Sequence, residues 1–246
     1  MDYLIKEIKK KKELAGIPDY IIKEIIEKKL GANTIPLNKK DIKIFIKDVR
    51  SDLRGLVGRF TISKNYLTLM EEGKTEQIIK AHKSTRERLD FYPNLKKIIS
   101  SFNPNSIIDI GCGLNPIALA DKKHTYYASD IDESSLNLVK TYFKKKGVKG
   151  KVWNQDIRKG NFPKADLCLI LKVFDILKLP HRKVSEILSS IDSKVIIASF
   201  PTITLSGKPM FNKRRYWFER IINALSYKYE IIESSNELFY IILKSK

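Results

Sequence analysis

Asp109, Gly111, Gly113 and Asp130 are the side chains and turns of this 246-residue chain whose spacing could do chemistry. Ile107, Ile108 and Ile110 form an apolar run that carries Asp109 near its end. The run breaks into Gly111-Cys112-Gly113, and a helical pattern follows. In an α/β sheet this reads as a first strand delivering a ligand to a glycine turn, where the missing Cβ lets backbone approach the ligand closely. A dinucleotide fingerprint would continue with Gly or Ala at position 116; Pro116 stands there instead, which argues against a pyrophosphate cradle. Asp130 ends the next apolar run (Tyr126, Tyr127, Ala128), where a carboxylate that accepts from ribose hydroxyls is expected. A ribose without a pyrophosphate points to S-adenosylmethionine.

Two further strand ends add polar groups. Gln155-Asp156-Ile157 follows a weaker apolar run, placing a carboxylate to accept from an adenine amino group and an apolar neighbour to cover the ring. Leu171-Lys172 ends another run, beside the expected methyl group. The next residues, Val173-Phe174-Asp175, complete a turn that in exocyclic-amine methyltransferases usually reads Asn/Asp-Pro-Pro-aromatic. The departure disfavours amine chemistry, although Asp175 could accept an amine hydrogen bond and keeps cytosine N4 open. Phe174, Phe211 and Tyr216 are candidates to stack a flipped base. Cys168 lies inside an apolar strand and reads as inert core rather than as a nucleophile.

These residues require a particular set of elements to position them. Apolar strands are expected at 106–110, 125–129, 166–171 and 194–200, with a weaker one near 150–154. Amphipathic helices fit at 114–121, 133–146, 181–190 and 212–225, and two runs, 227–233 and 237–243, read as a terminal hairpin. Alternating strands and helices give a parallel sheet, and the hairpin adds an antiparallel edge. The expected fold is therefore α/β: a class I methyltransferase, Rossmann-like sheet preceded by a smaller helical N-terminal domain. The expected division is 1–90, helical and docking on RNA, and 91–246, binding the cofactor. In the helical part, Pro18 opens a segment with Ile21, Ile22, Ile25, Ile26 and Leu30 on one face, closed by Gly31. A second segment runs from Asn38 through Ile42, Phe45, Ile46, Val49, Leu53, Leu56 and Val57. Its outer face carries Lys39, Lys40, Lys43, Lys47, Arg50, Arg54 and Arg59.

Charge bounds the partner. The chain holds 47 Lys and Arg against 28 Asp and Glu. Residues 1–100 hold 23 basic and 14 acidic side chains and the remainder 24 and 14, so the excess is no detachable tail. A basic surface of this extent suits a phosphate backbone, and Lys39, Lys40, Lys43 and Lys47 are expected to grip it. Two cysteines and three histidines offer neither a disulfide framework nor a metal-ligand cluster. No apolar run approaches the about 18 residues of a membrane span and the N-terminus lacks a signal-peptide core, so a cytoplasmic protein is expected.

His82-Lys83-Ser84-Thr85-Arg86-Glu87-Arg88 precedes the sheet region, and Ser84 and Glu87 have the spacing of a helix capping box. His-x-Ser-Thr-x-Glu-Arg followed by Asp-x-Gly-Cys-Gly-x-Asn-Pro resembles the aminoglycoside-resistance 16S ribosomal RNA (guanine-N7) methyltransferases. Supporting matches include Asp130-Ile131-Asp132, Gln155-Asp156, Leu171-Lys172, Ser199-Phe200-Pro201, Leu205-Ser206-Gly207-Lys208, Trp217-Phe218-Glu219 and Glu237-Leu238 with Tyr240. The resemblance implies a helical part that docks on the small ribosomal subunit and a sheet domain that binds S-adenosylmethionine, working as a monomer. It implies that Arg88 pairs with the cofactor carboxylate. It also adds Phe60, His82, Thr85, Asn115 and Ile131 to the cofactor-binding set. Where the family carries acidic residues after Ser-Gly-Lys, this chain has Pro209-Met210-Phe211-Asn212-Lys213-Arg214-Arg215, so Lys208, Arg214 and Arg215 are expected to face RNA. The chemistry implied is methylation of guanine N7, which is already nucleophilic. The alternatives are another base such as cytosine N4, or a non-catalytic ribosome-assembly protein.

Overall fold

The computed structural model describes residues 1–31, 38–57, 65–204 and 208–244. Expectations placed on Arg59, Phe60 and the Ser206-Gly207 turn lie outside the described residues, as do the side chains of Leu56 and Val57.

The N-terminal part is a three-helix unit: α1 (Asp2–Lys9), α2 (Asp19–Leu30) and α3 (Lys39–Val57). The isoleucine stripe of α2 meets Leu4 and Ile8 of α1 and Val49 and Leu53 of α3 in a core separate from that of the sheet. Burying each such side chain stabilises the unit by about 1.5–3 kcal/mol. α4 (Asn65–Glu71), α5 (Thr75–Ala81), α6 (Lys83–Arg86) and α7 (Tyr92–Ser101) follow. Met70, Ile78 and Leu95 from these helices pack with Tyr126, Val139 and Phe239 of the sheet region. The capping box expected at Ser84 and Glu87 is not formed. α6 is a single turn with His82 at its N-cap and no side-chain cap, because Glu87 turns to a lysine on the sheet.

The sheet has seven strands in the order β3-β2-β1-β4-β5-β7-β6. β1 (Ser106–Ile110), β2 (Thr125–Asp130), β3 (Lys149–Asn154), β4 (Leu167–Leu171) and β5 (Val195–Pro201) are parallel. β6 (Lys228–Glu233) and β7 (Glu237–Leu243) form the antiparallel edge, with β7 inserted between β5 and β6. β4 reads Leu-Cys-Leu-Ile-Leu and is buried throughout, as a strand covered on both faces must be. Strand order reverses between β1 and β4, so the crevice for a ligand opens beyond their carboxyl ends.

The sheet's helices are α8 (Asn115–Leu119), α9 (Glu133–Lys146), α10 (Val173–Leu177), α11 (His181–Ser190) and α12 (Tyr216–Ala224). Asp132 caps α9 by accepting from the N–H groups of Ser134 and Ser135, and Gly147 ends it in the left-handed region. Two expected helices are shorter than their sequence pattern: α8 stops at Leu119, where Ala120 is extended, and α12 begins only at Tyr216. No helix among the described residues is long and apolar enough to cross a membrane.

Candidate active site

A cleft of about 940 Å³, counting its open mouth, lies at the switch point. Gly111 and Gly113 form its inner lip with φ of +67° and +49°, a region that side chains other than glycine rarely adopt. A Cβ on Gly111 would strike Val173 Cγ2 at 2.6 Å, whereas one on Gly113 would meet nothing within 4 Å. The turn is therefore pinned on one side and open on the other. Asp130 sits opposite: its Oδ2 accepts from the Gly113 N–H at 2.7 Å and its Oδ1 from the Asp132 N–H at 2.9 Å. Each oxygen keeps a lone pair for a ribose hydroxyl. Burial pushes the Asp130 carboxyl up to about 6 against those two N–H bonds, which leaves it ionised at neutral pH.

Asp156 and Ile157 line the next stretch of wall with Gln155. Gln155 is fixed by the Trp153 indole N–H, which donates to its Oε1 at 2.7 Å, and by its own donation to the Gly160 carbonyl. Asp156 is buried and accepts from Arg158: the backbone N–H at 2.9 Å and Nη2 at 2.6 Å. Leu171, Lys172, Val173 and Ile176 close the other end, with His82 and Ser84 above. Burial pushes the His82 ring down to about 4, so it is neutral at pH 7.

Beneath this end runs a row of alternating charges. Lys172 is left-handed, φ +63°, and its N–H donates to the Ser199 carbonyl at 3.0 Å and to Ser199 Oγ at 3.1 Å. Its Nζ reaches Glu87 Oε2 at 2.9 Å and Glu237 Oε2 at 3.4 Å. Glu237 is buried completely and takes a bidentate pair from Arg88, at 2.6 and 3.1 Å. Burial would raise the Glu237 carboxyl, but Arg88 and Lys172 hold it below the usual carboxylate range. Arg88 Nη1 donates to Asn115 Oδ1 at 2.6 Å, which ties the row to the cleft wall.

The structure sorts the expected residues into groups. Gly111, Gly113, Asn115, Asp130, Ile131, Gln155, Asp156, Ile157, Leu171, Lys172 and His82 come together around one cleft. Asp109, Thr85 and Arg88 lie behind its wall. Asp109 is wholly buried under the turn, where Tyr126 donates to it at 3.0 Å and burial pushes it up to about 7. Thr85 donates to the carbonyls of Ile79 and His82 and so braces the turn that presents the imidazole. Arg88 is committed to Glu237 rather than facing a ligand carboxylate.

Three expectations are corrected. Phe174 is not a stacking platform: it is 2% exposed and packs on Phe218, ring centroids 5.6 Å apart. Asp175 is not free to accept from a base, because Arg215 holds it at 2.7 Å. Arg215 does not face RNA. It is nearly buried and also donates to the carbonyls of Pro201 and Lys213 at 2.9 and 2.8 Å. Arg214 is half-exposed over the Tyr216 ring and pairs with Glu219, while Lys39, Lys40, Lys43, Lys47 and Lys208 are exposed. Sequence reasoning missed Glu13 on the cleft wall, Arg158 behind Asp156, and the place of Glu237 in the charge row. Glu237 carried a signal, an acid heading the apolar run Leu-Phe-Tyr-Ile-Ile, since a charge in a buried strand must be paired.

The sheet order with its inserted last strand is the class I methyltransferase arrangement. The open glycine lip facing a strand-end carboxylate suits a ribonucleoside, so the class is an S-adenosylmethionine-dependent methyltransferase. Residues 71–241 match the model of a family described as ribosomal RNA methyltransferase (FmrO), and the chain belongs to that family. A 16S rRNA (guanine(1405)-N(7))-methyltransferase of Micromonospora rosea is 28% identical over 88% of this chain and 89% of its own. Another enzyme of that description, from Serratia marcescens, is 26% identical over 99% of this chain and 98% of its own. In fold, the chain is similar to the 16S rRNA methyltransferase RmtF in complex with S-adenosyl-L-homocysteine, with a TM-score of 0.84, 23% identity, and 99% and 98% of the two chains covered.

Proposed function

We propose that this protein methylates N7 of a guanine in 16S rRNA of the small ribosomal subunit. The observation that carries the reading is that Lys172 and Asp175, the charged side chains expected to act at the methyl-transfer end, are already paired. Lys172 is held by Glu87 and Glu237, and Asp175 by Arg215. Cys168 is wholly buried, and burial pushes its thiol well above its ordinary value. Among the described residues, that leaves an acceptor that must lose a proton only the His82 ring, a weak base because burial pushes it down to about 4. Guanine N7 carries an in-plane lone pair and loses none. The names of the Micromonospora and Serratia relatives support the same atom, and the cleft's intact acceptors count against a non-catalytic role.

S-adenosylmethionine, when bound, supplies an activated methyl group, and what the chain contributes is placement. Asp130 would hold the ribose, Asp156 and Ile157 the adenine edge, and Gly111 and Gly113 leave room for the methionine part. The exposed lysines of α3 and the segment around Lys208 and Arg214 would bind the phosphate backbone. The division at residue 90 is one of role: the helices before it dock on the subunit as part of a monomer and lend His82 and Ser84 to the cleft, and residues 91–246 supply most of the cofactor site. Mass mapping of 16S rRNA from small subunits incubated with protein and S-adenosylmethionine tests the reading. A new methyl on guanine N7 is expected; a methyl on an exocyclic amine, or none, would overturn it.

A further inference from the structure

The three-helix unit does more than sit beside the cleft, for it supplies part of its wall. Glu13, in the turn between α1 and α2, lines the cleft together with Ile131, Asp132, Gln155 and Asp156. Arg54 of α3 holds it there: Nε and Nη2 both donate to Oε1, at 3.0 and 2.8 Å. That hydrogen bond keeps the Glu13 carboxyl below the usual range and fixes it on the wall as an acceptor.

The neighbouring contacts are polar and specific. The Gly16 carbonyl accepts from the Glu133 N–H at 3.0 Å, and a Cβ on Gly16 would lie 2.0 Å from Asp132 Oδ1. Tyr20 donates to Asn154 Oδ1 at 3.3 Å, and Lys159 lies 4.3 Å from the centre of its ring. Glu24 of α2 takes Arg158 Nη1 at 3.1 Å, and the same guanidinium holds Asp156. Because the core of the unit is separate from that of the sheet, these contacts, with Ile131 as an apolar link and the approach of α3 to α10, decide where the unit sits.

We infer that the N-terminal unit completes the adenosine end of the cofactor cleft. Glu13 is a cofactor-contacting acceptor there, and Glu24 is a positioning residue acting through Arg158 on Asp156. Left alone, Arg158 would neutralise Asp156 and weaken it as an acceptor for an amino hydrogen. Glu24 shares the guanidinium and restores net negative charge to the three groups. The unit that carries the basic α3 face is thus energetically linked to cofactor occupancy. Linkage is reciprocal, so whatever factor the unit contributes to cofactor affinity, the cofactor returns to the docking of the unit. This rests on the cofactor reading above.

The test is calorimetric titration of the full-length protein with S-adenosylhomocysteine, alongside thermal unfolding. Glu13→Gln keeps the shape and the Arg54 contact and is expected to weaken binding about five- to tenfold. Glu24→Gln should weaken it about two- to fivefold, and Glu27→Gln, exposed on the same helix, should leave it unchanged. Should Glu13→Gln fail to fold, Glu24→Gln and hydrogen exchange of the wild type carry the test: the ligand should slow exchange in α1 and α2 as well as around Gly111. Wild-type affinity in folded variants, or exchange in α1 and α2 indifferent to ligand, would overturn the inference. A wild type that does not bind at all would overturn the cofactor reading instead.

Discussion

Replacing Arg215 with Ala tests whether the segment before α12 is a structural brace or an RNA grip. The guanidinium makes bonds at 2.7 Å to Asp175, 2.9 Å to the Pro201 carbonyl and 2.8 Å to the Lys213 carbonyl, and lies 5.5 Å from the centre of the Phe200 ring. Its side chain is 10% exposed and that of Asp175 is 24% exposed. Breaking a fully buried pair costs about 3–5 kcal/mol, and partial rehydration of Asp175 lowers that here to about 2–4 kcal/mol. For a domain of this size each kcal/mol moves Tm by about 2–4 °C, so a loss of about 3 kcal/mol becomes about 6–12 °C. Differential scanning calorimetry of Arg215→Ala, Asp175→Ala and the double variant gives both the shift and the coupling, which should exceed about 1 kcal/mol. Arg215→Lys should not rescue, since an ammonium cannot reproduce the fork. Arg214→Ala should lower single-turnover methylation of small subunits tenfold or more, and should lower Tm as well, because it strips the fork from buried Glu219. A Tm for Arg215→Ala within about 2 °C of wild type would refute the brace and return Arg215 to the RNA-facing set.

Asp130→Ala should weaken S-adenosylhomocysteine binding about ten- to hundredfold, the cost of about 1–3 kcal/mol for unpaired hydroxyl donors; unchanged affinity in a folded variant would refute the ribose assignment. Neutralising Lys39, Lys40, Lys43 and Lys47 together should flatten the log–log salt dependence of small-subunit binding, by about 0.7–0.9 for each phosphate no longer neutralised, without altering cofactor affinity. Burial holds Asp109 up to about 7 against 3.8 for an ordinary carboxyl, so its stabilising contribution is complete at low pH and is lost as pH rises through 7. His82, pushed down to about 4, works in the opposite sense, so the readout is a difference: Tm of Asp109→Asn relative to wild type should rise between pH 5 and pH 8. A constant difference across that range would refute the assignment.

Much of the nucleotide end of the site was legible because it is local. Asp109, the glycine turn and Asp130 fall at the ends of adjacent apolar runs, and parallel pairing of β1 with β2 makes sequence neighbours into spatial ones. The α9 and β7 spans, expected at 133–146 and 237–243, were legible for a similar reason, since each is a continuous amphipathic or apolar pattern. What could not be read was the facing of residues in turns. Nothing in Phe174-Asp175 says that the ring points into the core and the carboxylate toward an arginine 40 residues on. Charge pattern alone made Arg214 and Arg215 look alike, although one is half-exposed and the other bonded to backbone carbonyls. Arg88 was placed on the cofactor carboxylate by resemblance alone, and no local pattern points to its partner Glu237, 149 residues away. Glu13 went unnoticed because it sits in a lysine-rich turn with no periodic neighbour.

The insertion of β7 between β5 and β6 has a consequence for timing. Chains are synthesised from the N-terminus and tend to fold in that order. β1 to β5 can pair and the glycine turn can form while Glu237 is still to be made, leaving Arg88 and Lys172 as two cations without the carboxylate between them. The carboxylate that joins these two cations thus arrives with the last strand of the sheet, so the charge row behind the cleft is complete only when that strand has entered between β5 and β6. Glu237→Gln in the full-length protein makes the point measurable, since it leaves Arg88 and Lys172 without that charge and should lower Tm.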